Sequence, residues 1–292
     1  MQTNLIQAHI ALLTSERRPK TSFWASESEK MLFDIYHEWM GTPYTNPKTG
    51  KSLIILEAGK QIEVSIVKHL QDAGFLKVTE EDQERIDIVR EGAPISGKID
   101  AMTAHGGIPI EIKSFYGYYQ EKDIKAGAPN IGYVKQLAIY MDALNKDQGI
   151  LLMVDRGAGN MYEFIVTRTG PLQFRCGKHT VNLDETYKKW GECYANNILK
   201  KIEPPIEHQY KVPPSKVDWN TVNKSDIPKY RAGSKVYSSH PFAIQYSYFK
   251  DLIIEKQGCG LGYTKEELIE VKRYTEHIHL ELKNKRKTTK SQ

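Results

Sequence analysis

Two carboxylates and a lysine stand close together in Ser96-Gly97-Lys98-Ile99-Asp100 and, eleven residues after Asp100, in Glu111-Ile112-Lys113. Asp and Glu are hard oxygen donors of the kind that Mg²⁺ and Mn²⁺ prefer. Side chains alternate along a strand, so Glu111 and Lys113 share one face while Ile112 turns toward a core. An antiparallel hairpin turning near Gly106 would lay Asp100 beside them, and the backbone carbonyl of Ile112 offers one more oxygen. A divalent metal held there would polarise a phosphodiester and acidify a bound water. Lys113 would orient that water or stabilise the crowded phosphate. Whether Lys113 acts as a base is open, because metal and carboxylates push its pKa in opposite directions. A lone Glu-x-Lys is ordinarily a solvated strand face; what gives this one meaning is its surroundings.

Those surroundings include a second spaced pair. In Gln136-Leu137-Ala138-Ile139-Tyr140, a spacing of four puts Gln136 and Tyr140 on one helical face. Gln136 can hydrogen-bond a phosphate or a metal-bound water, and Tyr140 can donate or stack. Taken alone, the segment also reads as a core helix with two polar residues at its edge. Farther on, Tyr237, His240, Tyr246 and Tyr248 interleave with Lys235 and Lys250. Lys235, Tyr246 and Tyr248 are candidates to hold nucleic acid by charge and stacking. Packing of this segment on the rest of the protein is the competing expectation.

Positioning these residues requires a scaffold, and the hydrophobic periods supply one. Helices are expected over 26–40 (capped by Ser26 or Ser28), 56–73, 132–144 and 184–202, the last ended by Pro204-Pro205. Strands are expected over 85–90, 96–103, 108–114, 149–155 and 161–167, with His105-Gly106-Gly107 as a turn. Residues 115–130 read as a polar connection, 205–240 as irregular, and 263–283 as helical. The order predicts an α/β (α+β) fold, a mixed central sheet flanked by helices. It divides into a core at 1–204 and a C-terminal appendage at 205–292 that packs on it. Residues 200–292 carry 18 Lys/Arg against 11 Asp/Glu within a chain of net charge +5, so the basic end suits a polyanion. No apolar run is long enough for a membrane helix, and the N-terminus lacks the pattern of a signal peptide; a cytoplasmic protein with no membrane partner is expected. Cys176, Cys193 and Cys259 are scattered and predict neither disulfides nor a zinc site.

The three motifs Gly97-x-x-Asp100, Glu111-x-Lys113 and Gln136-x-x-x-Tyr140, in that order, resemble the PD-(D/E)XK nuclease superfamily. The likeness is to its branch of RecB-type nuclease domains and CRISPR-adaptation exonucleases, and it covers about residues 22–204. It implies a restriction-endonuclease-like core and a metal-dependent deoxyribonuclease in which Asp100, Glu111, Lys113, Gln136 and Tyr140 are catalytic. It further implies that Glu63, in Gly59-Lys60-Gln61-Ile62-Glu63, joins Asp100, Glu111 and the Ile112 carbonyl on the metal. Glu57 is a lesser contributor and His69 a structural residue. Ala25-Ser26-Glu27 is similar to the segment that frames the substrate entrance. Many members of the branch hold an iron–sulfur cluster on four cysteines; Ile244, Ser247 and Ile253 stand at the late cysteine positions, so no such cluster is expected. A chain of this size without a P-loop motif is similar to phage or viral exonucleases acting in recombination, repair or genome processing in a prokaryotic or infected cell. A single-strand annealing or recombination protein is the partner this implies.

Two other readings stay open at this level. A non-catalytic nucleic-acid-binding module would explain the basic end but not acids facing phosphates. A sugar- or nucleotide-processing enzyme would use the carboxylates but leave Lys113 and the Gln136 helix unexplained. The sequence does not choose between exonuclease and endonuclease, nor between DNA and RNA.

Overall fold

A computed structural model of the chain describes residues 5–13, 19–77, 84–208 and 242–257. Its fold is mixed α/β, with helices flanking mixed sheets. The chain divides into two compact units: Met1–Thr42 with Lys48–Pro205, and Pro43–Pro47 with Ile206–Gln292. Among the described residues no helix is long and apolar enough to cross a membrane.

The first unit holds two sheets. In the smaller, β1 (Phe23–Trp24) runs parallel to β3 (Ala93–Lys98), which pairs antiparallel with β2 (Arg85–Arg90). The larger follows the order β4-β5-β6-β7-β8-β9. Its members are β4 (Ala101–Met102), β5 (Pro109–Phe115), β6 (Gln148–Asp155), β7 (Met161–Gly170), β8 (Gln173–Cys176) and β9 (His179–Asn182). Within it β5 and β6 pair in parallel and the other neighbours antiparallel. A parallel pair needs a long crossover, here α4 (Tyr118–Lys125) and α5 (Ile131–Ala143).

Both faces of β5 and β6 are covered, and β6 accordingly carries an unbroken apolar run from Ile150 to Val154. On one face α5 inserts Val134, Leu137, Ala138, Ile139 and Met141 into a cluster with Leu151, Met153 and Phe115. On the other, Ile110, Ile112, Leu152 and Val154 meet Ile62, Ile66, Val67 and Leu70 of α3 (Gly50–Asp72). Helix α1 (Leu5–Leu13) lies against α3, and α6 (Leu183–Cys193) runs into a π-helical turn at Tyr194–Ile198. The thiols of Cys176 and Cys193 are free and buried.

Three expected elements differ in instructive ways. The strand expected over 96–103 is broken: β3 ends in the smaller sheet at Lys98 and β4 begins in the larger at Ala101, so Ile99 and Asp100 form the crossing. The helix expected over 26–40 is a 3₁₀ turn at Ala25–Glu27 followed by α2 (Leu32–Trp39). The cause is Glu27, whose buried carboxylate accepts from the Trp24 backbone N–H at 3.1 Å, Lys20 at 2.5 Å and Lys30 at 3.3 Å. Burial alone would raise its pKa, but Lys30 and Lys20 outweigh that and lower it. Glu27, expected near a substrate entrance, is thus a buried structural anchor. Helix α3 starts before the expected position 56 because Thr49 caps it, accepting from the Ser52 N–H at 3.3 Å.

Gly97 is required by a close approach. A Cβ there would fall inside the space of the Tyr140 ring and within 3.3 Å of Ala25 and Ile86 side chains. Tyr140, 2% exposed, uses that space to donate its hydroxyl proton to the Lys98 carbonyl at 2.9 Å. We expect Gly97→Ala to destabilise the protein by about 1–3 kcal/mol through overpacking, read as a lower urea midpoint.

In the second unit, α7 (Phe242–Gln245) and α8 (Lys250–Gln257) bury Ile244, Ser247, Phe249 and Ile253. Tyr248 stacks on Tyr44 with ring centroids 4.3 Å apart and planes at 17°, while Asn46 donates its side-chain N–H to the Ser247 carbonyl at 2.8 Å. Residues Lys235, Tyr237, His240, Cys259 and 263–283 lie outside the described residues.

Candidate active site

The site is built at the fork between the two sheets. Where β3 leaves for β4, Asp100 is released from both ladders, and its Oδ2 accepts from the Ile112 N–H at 2.7 Å. The hairpin register Ala101↔Ile110 and Met102↔Pro109 sets Asp100 across from Glu111, as a turn near Gly106 predicts. That turn closes with the Thr103 N–H donating to the Ile108 carbonyl at 3.0 Å. On the other side, α3 comes close to β5 because residue 59 is glycine: a Cβ there would stand 3.0 Å from Ser114 Oγ. One turn farther along α3, Glu63 comes close enough to Asp100 to make its negative charge costlier.

The sequence candidates Asp100, Glu111, Lys113 and Glu63 are therefore brought together, and the electrostatics register it. Glu111 is 0% exposed. Burial first, then the neighbouring Asp100, pushes its pKa up to about 8. Burial raises Asp100 to about 6, with Lys113 opposing and Glu63 adding to the rise. Burial works to lower Lys113, but Glu111 and Asp100 outweigh it and hold the ammonium above its ordinary value. Lys113 pairs with Glu111 Oε1; Oε2 is buried without a hydrogen-bond donor among the described residues. Three carboxylates drawn together, one with an orphaned oxygen, match a hard divalent cation in donor chemistry. They do not stand preassembled: among the described residues no three His, Cys, Asp or Glu side chains already form a ligand set.

Other candidates fall differently. Gln136 is buried and donates from Nε2 to the Tyr140 hydroxyl at 2.9 Å. Tyr140 in turn is committed to the Lys98 carbonyl. Its ring lies in the core, so the stacking role expected of it is corrected: the pair braces the end of β3 at Lys98, two residues before Asp100. One face of the Tyr248 ring is taken by Tyr44. Tyr246 is 75% exposed.

Sequence reading missed the lysines beside the carboxylates. A cavity of about 520 Å³ opens next to Glu63 and Asp100, with Lys60, Lys68, Lys77 and Lys98 on its rim. The signal was available: Lys60 and Lys68 flank Glu63 along α3 at positions that turn toward one side. It also passed over Tyr116 and Tyr118, exposed aromatics just beyond β5.

No protein-family model matches the chain, and no curated protein matches it significantly. Solved structures similar to it include that of SSO0001, at 15% identity, covering 66% of this chain and 85% of that one with a TM-score of 0.43. Another is an alkaline exonuclease, LHK-Exo, from Laribacter hongkongensis, at 17% identity, covering 62% and 90% with a TM-score of 0.43. A third, LHK-Exo in complex with dAMP, has 14% identity, the same coverage and a TM-score of 0.37. At this distance, function has to be argued from the chain's own residues.

Proposed function

We propose that this chain is a divalent-metal-dependent DNA nuclease of the PD-(D/E)XK kind, acting as an exonuclease in recombination, repair or genome processing. The observation that carries the reading is the gathering of Glu63, Asp100 and Glu111 around Lys113 at the sheet fork, with a buried Glu111 oxygen left without a donor. Glu63, Asp100, Glu111 and the Ile112 carbonyl would hold Mg²⁺ or Mn²⁺. The bound ion would supply charge stabilisation to the phosphate and a more acidic water. Asp100 is held for this by the Ile112 N–H, and the end of β3 before it by the Gln136–Tyr140–Lys98 brace. Lys113, paired with Glu111 in this structure, would as an ammonium be able to donate to a phosphate oxygen if a cation balanced the Glu111 charge. No iron–sulfur cluster enters the proposal, and an annealing or recombination protein is its expected partner.

The test is a digest of end-labelled linear duplex, single-stranded and closed circular DNA with Mg²⁺, Mn²⁺ or chelator. Cleavage of the linear and single-stranded forms, abolished by chelator, is expected, with the closed circle spared. Cutting that survives chelation overturns the metal mechanism. Salt-sensitive DNA binding with no cutting under either metal identifies a binding module instead.

A further inference from the structure

Along α5, Tyr133, Gln136 and Tyr140 follow one another at spacings of three and four, which puts them on one face of the helix. Gln136 and Tyr140 brace the end of β3 through the Lys98 carbonyl. Tyr133 meets the other arm of the fork: the Lys113 ammonium lies over its ring, 5.7 Å from the centroid, within the range of a cation–π attraction. We infer that Tyr133 is a positioning residue for Lys113, its ring face keeping the ammonium at the fork beside the carboxylates. The inference rests on the nuclease reading and adds a residue to its machinery.

Three observations carry it. First, the turn that bears the ring is firmly held. The Asn130 side chain caps α5, accepting from the Gly132 N–H at 2.8 Å. The Tyr133 N–H donates to the Asn130 carbonyl at 3.1 Å, and Lys135 pairs with Glu29 at 2.5 Å. A ring fixed in this way can act as a wall for a mobile side chain. Second, the ring is not a plug in the core. It is half-buried, and a cavity of about 140 Å³ remains beside it, walled also by Phe115, Ile124 and Met153. A side chain placed there only to fill space would leave none.

Third, Lys113 needs a support that does not depend on the acids. Its side chain is 25% exposed and carries its charge on a flexible stem. In this structure Glu111 anchors the ammonium, and Asp100 and Glu63 add to the pull. A divalent cation on those carboxylates would balance the charges that anchor it, and a lysine held by them alone would lose its place. The attraction of a ring face comes from the ring's own quadrupole, so it is the same whether the carboxylates are balanced or not. Phenylalanine offers that face without the hydroxyl; leucine offers apolar bulk without the face.

The experiment uses the full chain and has two arms. In the first, Tyr133→Leu and Tyr133→Phe are assayed on linear DNA with Mg²⁺. Tyr133→Leu should lose about fivefold in kcat with KM little changed, and Tyr133→Phe should cleave close to the wild-type rate. The second arm needs no activity. Urea unfolding of the metal-free protein is measured for Tyr133→Leu and Lys113→Met, singly and together. Tyr133→Leu should lower the folding constant about fivefold more in the wild-type background than in the Lys113→Met background, because only the first has an ammonium to lose contact with. Equal costs in the two backgrounds, a Tyr133→Leu variant with the wild-type kcat, or a Tyr133→Phe variant as slow as Tyr133→Leu overturns the inference. The two readings stay apart. Wild-type protein that cuts DNA while the variants fail these tests sinks the positioning role alone, whereas wild-type protein that cuts nothing sinks the nuclease reading and leaves the unfolding arm to report the contact.

Discussion

Asp100→Asn is expected to lose about 10³-fold or more of metal-dependent cleavage while folding at least as well as the wild type. The two halves of that result have separate causes. The amide oxygen of Asn can still accept from the Ile112 N–H, which Asp100 holds at 2.7 Å, so the fork keeps its shape. What disappears is a negative charge that burial and Glu63 already make costly. A loss of activity accompanied by a steady or higher urea midpoint separates a ligand from a structural residue. Lys113→Ala should show the opposite pairing. It too loses cleavage, but above about pH 8, where Glu111 ionises, it leaves that carboxylate buried with no counter-charge. Removing one member of a buried pair costs several kcal/mol; with the Lys113 side chain 25% exposed, solvent screening reduces that to about 2 kcal/mol. If Asp100→Asn cuts DNA at the wild-type rate, the site is elsewhere.

Metal-free protein should lose stability as pH rises through the neutral range. Glu111 has an ordinary value of 4.5 and is raised to about 8 in the fold, and Asp100 rises from 3.8 to about 6. Between those limits the unfolded chain has released protons that the folded chain keeps. Stability is therefore greatest below the unfolded values and falls until the folded values are passed. Each pKa unit corresponds to about 1.4 kcal/mol, so a loss of up to about 5 kcal/mol between pH 5 and pH 9 is expected, read as a falling Tm. Glu111→Gln should flatten the profile, and Mg²⁺ should raise Tm more at the alkaline end, where the carboxylates are ionised. A metal-free Tm that climbs over this window contradicts the assignment of strain to the site.

The candidate site was legible in the sequence to the extent that short-range geometry fixes it. Alternation along 109–115 placed Glu111 and Lys113 together, and the Gly106 turn placed Asp100 opposite them. The mixed α/β class followed from the periods of α3, α5, β2 and the β5–β6 pair, whose two covered faces leave a plain apolar signature. Long-range choices were not legible. Nothing local in 96–103 says that β3 and β4 belong to different sheets; at the break the Lys98 carbonyl is taken by Tyr140, some forty residues on. The polar tyrosine hydroxyl invited a functional reading, yet its ring is where Gly97 makes room for it. Glu27 was expected at a substrate entrance, but Lys20 and Lys30 hold its carboxylate in a buried cluster. The short hairpin of β8 and β9 also escaped notice, although Phe174, Cys176 and Val181 alternate as buried residues. Four-residue strands carry too little pattern to stand out.

The most direct measurement is a crystal of the protein soaked in Mn²⁺, with an anomalous difference map. The account predicts a peak at the sheet fork, about 2.0–2.2 Å from carboxylate oxygens of Asp100 and Glu111, with Glu63 turned toward it and Lys113 displaced from Glu111. A map with no peak there at saturating Mn²⁺, from protein that still cuts DNA, would contradict it.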